Sequence, residues 1–293
     1  MINVKQTRHG RMIYQATDMW TGYALELYGE AKQLEIDFLE SLISEGDVMM
    51  DIGANVGTIT LPMAKKIGPK GYVLALEAHA MFFYTLCGNL SLNELTHVQV
   101  FNRSAADKTG SMFYFPKFDF SKNDSFSDVR LAGLLNSKDE FGHIFDNPVT
   151  AIAVDDLGIA TPNLIKIDVN GMEPVVLNGM RKTIKRANPI LYIEFSNNWR
   201  YIMDYLKSVD YEWSIHEPPL FNPNNYHNIS ENFLIDPETK EPLSSRYLVG
   251  WHKSKNLNLN NPYIVDLENS TNPQHAKMKV ARDGRTTDFS IAE

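Results

Sequence analysis

The segment DIGANVG, residues 51–57, decides the fold that the sequence predicts. It follows the apolar run of residues 48–50 and precedes TITLPMAKKIG (58–68), which has helical spacing, so it marks a strand-to-helix turn. Gly53 lets the backbone turn and a ligand approach closely, and Gly57 lets the helix pack against the strand. Exposed amide groups at the start of the helix suit a carboxylate or a phosphate. Glycine spacing alone fits a tight turn without a ligand equally well.

Short β-rich runs alternate with helical stretches from about residue 46 onward. The strand candidates are VMMDI (48–52), YVLALE (72–77), HVQVF (97–101), LIKIDV (164–169), ILYIEF (190–195), YEWSIH (211–216) and RYLVGW (246–251). Helical spacing covers residues 56–66, 80–93, 173–186 and 198–208. Apolar strands separated by helices are typical of a parallel sheet that is covered on both faces. The last two strands have no helix between them, which predicts an antiparallel pair at one edge of a doubly wound α/β sheet.

Three regions follow from this pattern. Residues 46–252 form the predicted α/β domain, residues 1–45 an N-terminal helical segment, and residues 253–293 a polar C-terminal tail with little to bury. Two long irregular stretches interrupt the domain, at 104–150 and 217–243, and the first begins with a predicted hairpin around residues 108–110. Loops this long in a compact domain are usually functional or disordered. We expect residues 116–148 and 217–243 to form the acceptor side of the site, the side that binds a second molecule next to the ligand at the glycine turn.

The composition is that of an ordinary soluble protein, with 293 residues, 43% of them hydrophobic. The net charge of −8 argues against a nucleic-acid partner, because phosphate binding needs a basic face. The single cysteine, Cys87, excludes an internal disulfide and fits a reducing compartment. The sequence has neither a membrane span nor a secretory signal, so a cytoplasmic location is expected, and a homo-oligomer is compatible with these features. The eight histidines form no H-x-H or H-x-x-x-H pair, so no metal site is expected.

Glu77 indicates which ligand the turn holds. It ends the second predicted strand, twenty residues after Gly57, where an acid accepts the two hydroxyls of an adenosyl ribose. Proteins that bind NAD have a glycine where Asn55 stands, since a larger residue crowds the pyrophosphate. S-adenosylmethionine fits better, because it has a ribose for Glu77, a carboxylate for the backbone amides and an ammonium for Asp51.

Four blocks of the sequence, in order, resemble those of the FkbM family of S-adenosylmethionine-dependent methyltransferases. They are VMMDIGANVGTIT (48–60), ALEAHAMFFYTLCGNLSLNEL (75–95), VFNRSAADKTG (100–110) and LIKIDVNGMEPVVLNG (164–179). The resemblance implies a class I methyltransferase (Rossmann-like) sheet and O-methylation of hydroxyl groups on sugars or natural products. The cofactor contacts that it implies are Asp51, Gly53, Ala54, Asn55, Gly57, Glu77 and Ala78, with Ser104 and Ala105 near the adenine.

The sequence departs from the family's pattern at two positions. Asn170 stands where the family usually reads a glutamate in D-V-E-G, and Ala78 stands where proline is frequent. The first change puts any catalytic role of that glutamate in doubt for this chain. It also indicates an altered substrate pocket.

Three residues near the end of the fourth predicted strand are candidates for catalysis. A hydroxyl nucleophile must lose its proton to a base within hydrogen-bond reach, and Asp168 is our first candidate for that base. Lys166 alternates with Asp168 on the strand, so it either steadies a developing oxyanion or pairs with Asp168. Glu173 opens the next helix, where the helix dipole favours a carboxylate in any case.

The leading function is therefore O-methylation of a hydroxyl on a glycan or small-molecule acceptor. An amino-methyltransferase that acts on nucleic acid would carry N-P-P-Y or D-P-P-Y after the fourth strand, where this chain reads DVNGME (168–173). A non-catalytic adenosyl-binding module is the second interpretation, because of Asn170. A nucleotide-dependent oxidoreductase is the third, since fold alone does not fix function.

Overall fold

A computed structural model describes residues 2–126, 131, 145–159, 161–236 and 239–265. The described strands are β1 Ile2–Thr7, β2 Gly10–Gln15, β3 Val48–Ile52, β4 Tyr72–Leu76, β5 Val98–Phe101, β6 Ser104–Ala105, β7 Met112–Pro116, β8 Phe145–Ile152, β9 Leu164–Ile167, β10 Ile190–Glu194, β11 Tyr211–His216, β12 Tyr247–His252 and β13 Ile264–Val265. The helices are α1 Thr21–Tyr28, α2 Gln33–Ser41, α3 Thr60–Ile67, α4 Ala80–Leu92, α5 Glu173–Asn178, α6 Arg181–Ala187 and α7 Trp199–Ser208.

The central sheet has the order β13–β11–β12–β10–β9–β3–β4–β5. The five strands from β10 to β5 are parallel to one another, and β12 pairs antiparallel with both β10 and β11. The predicted α/β class, with a mostly parallel sheet and antiparallel strands towards one edge, is confirmed. The last strand differs from the prediction, since β13 adds to β11 from a region that was expected to be a polar tail. Residues 266–293 of that predicted tail lie outside the described part of the chain.

Alternating apolar residues give the sheet two buried faces. Met50 and Ile52 of β3 join a core that also contains Val176 of α5 and Ile202 of α7. Met49, their neighbour on the same strand, points the other way into a second core. Residues of α2 and α3 complete that second core. Because side chains alternate across a strand, a run in which every residue is apolar can be buried on both sides, as the sequence pattern predicted.

The N-terminal segment is more than the single helix that was predicted. It begins with an antiparallel hairpin of β1 and β2, followed by α1 and α2. The side chain of Asn89 on α4 accepts a hydrogen bond from Ile13 N–H and donates one to Ile13 O, which fixes β2 against that helix. Met12 and Tyr14 on β2 are buried. The prediction missed this hairpin because its partner surface lies far along the chain.

Two further predictions are corrected. The expected hairpin around residues 108–110 does not form, because β7 pairs with β8 and β6 pairs in parallel with the same strand. The predicted helix 173–186 breaks into α5 and α6 at Gly179, where a Cβ atom would lie 1.9 Å from Ala106 O. None of the helices in the described residues has the length and apolar character needed to cross a bilayer.

Candidate active site

A cavity of about 630 Å³ opens where the parallel strands end. It is lined by residues that follow β3, β4, β9 and β10, by parts of the N-terminal segment, and by the residues just before β12. The volume falls in the range of roughly 300–1,000 Å³ typical of small-molecule sites, and ligands bind at this edge of open α/β sheets. The predicted site residues at its surface are Gly53, Ala54, Asn55, Glu77, Ala78, Ser104, Ala105, Lys166 and Asp168.

The turn after β3 is held by its own hydrogen bonds. Each N–H group of residues 53–57 donates inside the protein, at donor–acceptor distances of 2.7–3.0 Å. The acceptors are Leu76 O for residues 53 and 54, Glu77 Oε2 for residue 55, Asn55 Oδ1 for residue 56 and Ala54 O for residue 57. The predicted anion site of exposed amide groups is therefore wrong for these residues, and α3 begins only at Thr60.

Gly53 and Gly57 are required by the packing of the chain on itself. Gly53 has φ +83°, and a Cβ atom built there would lie 1.9 Å from the backbone oxygen of Asp168. Gly57 has φ +93°, and its Cβ atom would lie 2.6 Å from Leu86 on α4 and 2.8 Å from Leu61 on α3. The close approach at Gly53 is therefore made by the loop after β9, whereas the sequence predicted a ligand. Gly57 does not line the cavity, and it allows two helices to pack.

Glu77 lies at the cavity surface although it is only 6% exposed. Its two carboxylate oxygens accept hydrogen bonds from the N–H groups of Asn55 and His79, each at 2.7 Å. Burial raises the pKa of Glu77 to about 7, against the lowering effect of these two hydrogen bonds. Each carboxylate oxygen has a second lone pair, so the group can still accept two hydroxyl donors.

Aromatic rings line the part of the cavity beyond Glu77. The imidazole of His79 lies 4.8 Å from the ring of Phe82 and 5.0 Å from that of Phe115, measured between centroids. Burial lowers the pKa of His79 to about 4, so the ring is neutral at physiological pH. Ser104 and Ala105 follow β5 and line the same cavity. The sequence prediction missed this aromatic wall, whose rings come from the start of α4 and from β7.

Asp51 and Lys166 form a buried ion pair beneath the cavity. Lys166 Nζ lies 3.1 Å from Asp51 Oδ1, 3.3 Å from Gly53 O and 3.5 Å from Asp168 Oδ2. Two of the three ammonium hydrogens are donated to Asp51 and Gly53, and Asp168 lies at ion-pair distance, so the contacts favour the predicted pairing role over a role towards a developing oxyanion. Asp51 also accepts a hydrogen bond from the hydroxyl of Thr60 at 2.7 Å and is fully buried. Asp51 is thus turned away from the cavity surface, which disfavours the predicted contact with a ligand ammonium.

Asp168 is held by two cations and a phenol. Its Oδ2 accepts hydrogen bonds from Lys32 Nζ at 3.2 Å and from the hydroxyl of Tyr247 at 2.9 Å, and Lys32 Nζ also donates to that hydroxyl at 3.0 Å. Burial would raise the pKa of Asp168, but the charges of Lys32 and Lys166 outweigh it and hold the pKa well below its ordinary value. A carboxylate in this state binds protons weakly, so the geometry favours a positioning role over the predicted role of base.

Glu194 was missed by the sequence prediction and ends β10 inside the cavity. Its Oε2 accepts a hydrogen bond from Asn170 N–H at 3.1 Å. Asn170 has φ +52°, a left-handed conformation that asparagine tolerates better than most residues. Glu173 lies below this loop, fully buried, where it accepts hydrogen bonds from Gly171 N–H at 2.9 Å and from the hydroxyl of Ser196 at 2.7 Å. These contacts favour a structural role for Glu173.

Comparison with known proteins assigns the chain to a family. The family described as Methyltransferase FkbM domain matches residues 51–213, more than half of the chain. The chain belongs to the FkbM methyltransferase family. The predicted family, fold class and methyl donor are thereby confirmed, and the matched segment is a methyltransferase domain that uses S-adenosylmethionine. No curated protein gives a match.

Solved structures with a similar fold include an FkbM methyltransferase from Methylobacillus flagellatus KT. It is 18% identical with a TM-score of 0.44, and the alignment covers 70% of this chain and 44% of that one, so the chain spans less than half of that protein. An S-adenosylmethionine-dependent O-methyltransferase from Thermotoga maritima is 14% identical, with a TM-score of 0.44 and coverage of 85% and 77%. The TYW2 protein of M. jannaschii, in complex with AdoMet, is 13% identical, with a TM-score of 0.43 and coverage of 85% and 84%.

The cavity of this FkbM domain fits S-adenosylmethionine. Glu77 is a buried acceptor with lone pairs left for two ribose hydroxyls, and the neutral ring of His79 with its phenylalanine neighbours suits an adenine. The carboxyl group of Glu194 stands in the same cavity without an ion pair to a lysine or arginine among the described residues, and it suits the positive charge of the sulfonium. The described residues contain no group of three or more histidine, cysteine, aspartate or glutamate side chains that could hold a metal ion.

The loop at 217–243 is fastened to the N-terminal segment of the FkbM chain. Glu30, which is 4% exposed, accepts hydrogen bonds from Asn222 Nδ2 and Tyr226 N–H, both at 2.8 Å, and pairs with Arg8. The hydroxyl of Tyr28 accepts a hydrogen bond from Phe233 N–H at 2.7 Å. The ends of this loop line the cavity, through Leu220 and Leu243, as do residues 244–246 that follow it, but its middle binds the N-terminal segment.

The other predicted acceptor loop, 116–148, is described only in part. Phe126 and Leu131 from it line the cavity, and residues 127–130 and 132–144 lie outside the described chain. His216, the last residue of β11, is buried, with its Nδ1 2.8 Å from the hydroxyl of Tyr192.

Proposed function

We propose that this FkbM protein transfers a methyl group to a hydroxyl of a glycan or small-molecule acceptor. The observation that carries the proposal is the carboxyl group of Glu194, which stands in the cavity at the end of β10, beside Asp168 at the end of the adjacent strand. A hydroxyl must lose a proton during methyl transfer, and a carboxyl group beside the reacting atoms is a suitable acceptor for it. The segment 168–173 lacks the proline and aromatic pair expected of enzymes that methylate nucleobase amines.

Several cavity residues have a role in this proposal. S-adenosylmethionine, when bound, supplies an electrophilic methyl group. Glu77 would bind the ribose hydroxyls, and His79 with Ser104 and Ala105 would surround the adenine. Asp168 would hold Lys32 and the Tyr247 hydroxyl in place at the acceptor end. Ser244, Ser245 and Asn170 also line the cavity there, and their hydroxyl and amide groups suit a neutral acceptor that carries several hydroxyls.

The protein's main contribution to catalysis is alignment and exclusion of water. Methyl transfer from sulfur to oxygen needs the two reacting atoms in line, and holding them so removes much of the entropic barrier. Lys32 comes from the N-terminal segment, and Leu220 and Leu243 come from the loop at 217–243. These two segments, fastened to each other through Glu30, would close the cavity from the side opposite the sheet.

A screen of acceptors tests the proposal. The protein is incubated with S-adenosylmethionine and separate pools of neutral monosaccharides and glycosides, small alcohols and phenols, primary amines, and RNA. Formation of S-adenosylhomocysteine is measured, and the product is identified by mass spectrometry. A methyl ether in the first or second pool is the expected result. Transfer only to amines or RNA would contradict the proposal, and binding of S-adenosylhomocysteine without transfer to any pool would favour a non-catalytic adenosyl-binding module.

A further inference from the structure

Glu194 differs from Asp51 and Asp168, the acids at the ends of the two nearest parallel strands, in its counter-charges. Asp51 and Asp168 each form an ion pair with a lysine. Glu194 forms none within the described residues, and it accepts a hydrogen bond from the neutral N–H group of Asn170. It nevertheless lines the cavity, at the end of β10. A carboxyl group that lies inside a ligand cavity without a cation of its own is suited to a cationic ligand.

The groups around Glu194 favour its neutral form while the cavity holds no positive ligand. Burial, then the negative charges of Asp168 and Glu173, raises the pKa of Glu194 to about 9, and Lys32 offsets only part of this. Two other polar groups lie on the neighbouring strand β12 and just before it. Tyr247 is directed at Asp168, and Arg246 is paired with Glu217.

The methyl donor brings the missing positive charge. S-adenosylmethionine carries a sulfonium, whereas its product S-adenosylhomocysteine carries a neutral thioether. An opposite charge favours the ionised form of a carboxyl group, by an amount that grows in a poorly solvated cavity. We propose that Glu194 gives up its proton when the sulfonium enters the cavity and then accepts the proton of the acceptor hydroxyl during methyl transfer. This inference rests on the proposed function for its second step only.

The atoms and charges balance in this cycle. The acceptor oxygen forms a bond to the methyl carbon, the bond between that carbon and sulfur breaks with its electron pair going to sulfur, and the hydroxyl proton goes to the Glu194 carboxylate. The positive charge of the sulfonium and the negative charge of Glu194 therefore disappear in the same step. After methyl transfer Glu194 is again neutral, as it was before the cofactor bound.

Proton release on cofactor binding tests the first step without any acceptor. S-adenosylmethionine and S-adenosylhomocysteine are each titrated into the full chain at about pH 6.8, in buffers of different ionisation enthalpy, so that the protons released are counted. At this pH the amino groups of both ligands are mostly protonated. Glu77 titrates near the same pH but meets the same ribose in both ligands, so its effect cancels in the difference. We expect S-adenosylmethionine to release about one proton more than S-adenosylhomocysteine.

Two variants and one measurement on the unaltered protein complete the test. Glu194→Gln should remove the difference in proton release, while Glu212→Gln, an exposed acid on β11, should keep it. In the unaltered protein, the Kd of S-adenosylmethionine relative to that of S-adenosylhomocysteine should fall about tenfold per pH unit between roughly pH 6.3 and 7.3, below the range in which the amino groups of the ligands titrate. This ratio needs no variant, so it decides the matter even if Glu194→Gln fails to fold.

Two results would overturn the inference. The first is equal proton release by the two ligands in the unaltered protein, and the second is an unchanged difference in a folded Glu194→Gln variant. Neither result depends on the acceptor. If the screen finds a hydroxyl acceptor but the two ligands release equal numbers of protons, the proposed function stands. Glu194 is then not the group whose proton is released when the sulfonium binds.

Discussion

Substitution of Gly53 by alanine tests why the first turn of the FkbM domain contains glycine. The residue has φ +83°, and a Cβ atom there would lie 1.9 Å from the backbone oxygen of Asp168. The left-handed backbone costs an L-residue about 1–2 kcal/mol, and overpacking in a close-packed site adds about 1–3 kcal/mol. We therefore expect Gly53→Ala to lower the free energy of unfolding by about 2–5 kcal/mol, measured by urea denaturation followed by circular dichroism.

Gly46→Ala is the matched control for this substitution. Gly46 has φ +90°, and nothing lies within 4 Å of a Cβ atom built there, so it carries the backbone cost alone. The difference between the two variants then measures the contact with Asp168, at about 1–3 kcal/mol. Because that contact places the ends of β3 and β9 beside the cavity, Gly53→Ala should also weaken binding of S-adenosylhomocysteine, whereas Gly46→Ala should not. Equal stability and equal affinity of the two variants would refute the reasoning.

Three further predictions concern the loop, the two carboxyl groups and pH. Glu30→Gln should expose the segment 217–236 to limited proteolysis and lower the free energy of unfolding by about 1–3 kcal/mol, because Asn222 and Tyr226 lose a charged hydrogen-bond acceptor. An unchanged rate of digestion would contradict this prediction. Once an acceptor is known, Glu194→Gln should lower turnover by about 10²–10⁴ and Asp168→Asn by less, and a larger loss of turnover in Asp168→Asn would restore Asp168 as the base. Excess EDTA should leave the activity unchanged, and loss of activity in EDTA that Mg²⁺ restores would reveal a metal. Since the pKa of Glu194 is raised in the folded state, the stability that this group contributes is lost as pH rises from about 4.5 towards 9. Glu194→Gln should therefore raise the Tm more at pH 8 than at pH 5, and an equal change in Tm at both pH values would contradict a raised pKa for Glu194.

The sequence predicted the sheet well because its signal is local. The parallel strands β3, β4, β9 and β10 are short, mostly apolar runs, and both faces of the sheet are buried by helices that are close in sequence. Glu77 could be predicted for the same reason, since the acid directly follows β4. Glu194 carries the same signal at the end of β10 and could have been identified by it.

Other parts of the site depend on contacts between distant segments. Lys32 Nζ meets Asp168 across 136 residues of sequence, and nothing near Lys32 marks it as a cavity residue. Tyr247 could have been found, because β12 runs antiparallel and its start lies at the edge where the parallel strands end. The hydrogen bonds that occupy the turn at residues 53–57 could not, since they depend on the positions of Leu76 and Glu77 on the neighbouring strand.

Calorimetric titration of the unaltered protein and of Glu77→Ala with S-adenosylhomocysteine and with NAD tests the central claim most directly. The claim is that the cavity beside Glu77 holds the adenosyl group of the methyl donor. We expect S-adenosylhomocysteine to bind with a stoichiometry of about one and NAD to bind weakly, with the variant losing about 1–3 kcal/mol of affinity for S-adenosylhomocysteine because a charge-assisted acceptor for the ribose is gone. Tight binding of NAD without binding of S-adenosylhomocysteine, or an unchanged affinity for S-adenosylhomocysteine in Glu77→Ala, would contradict the account.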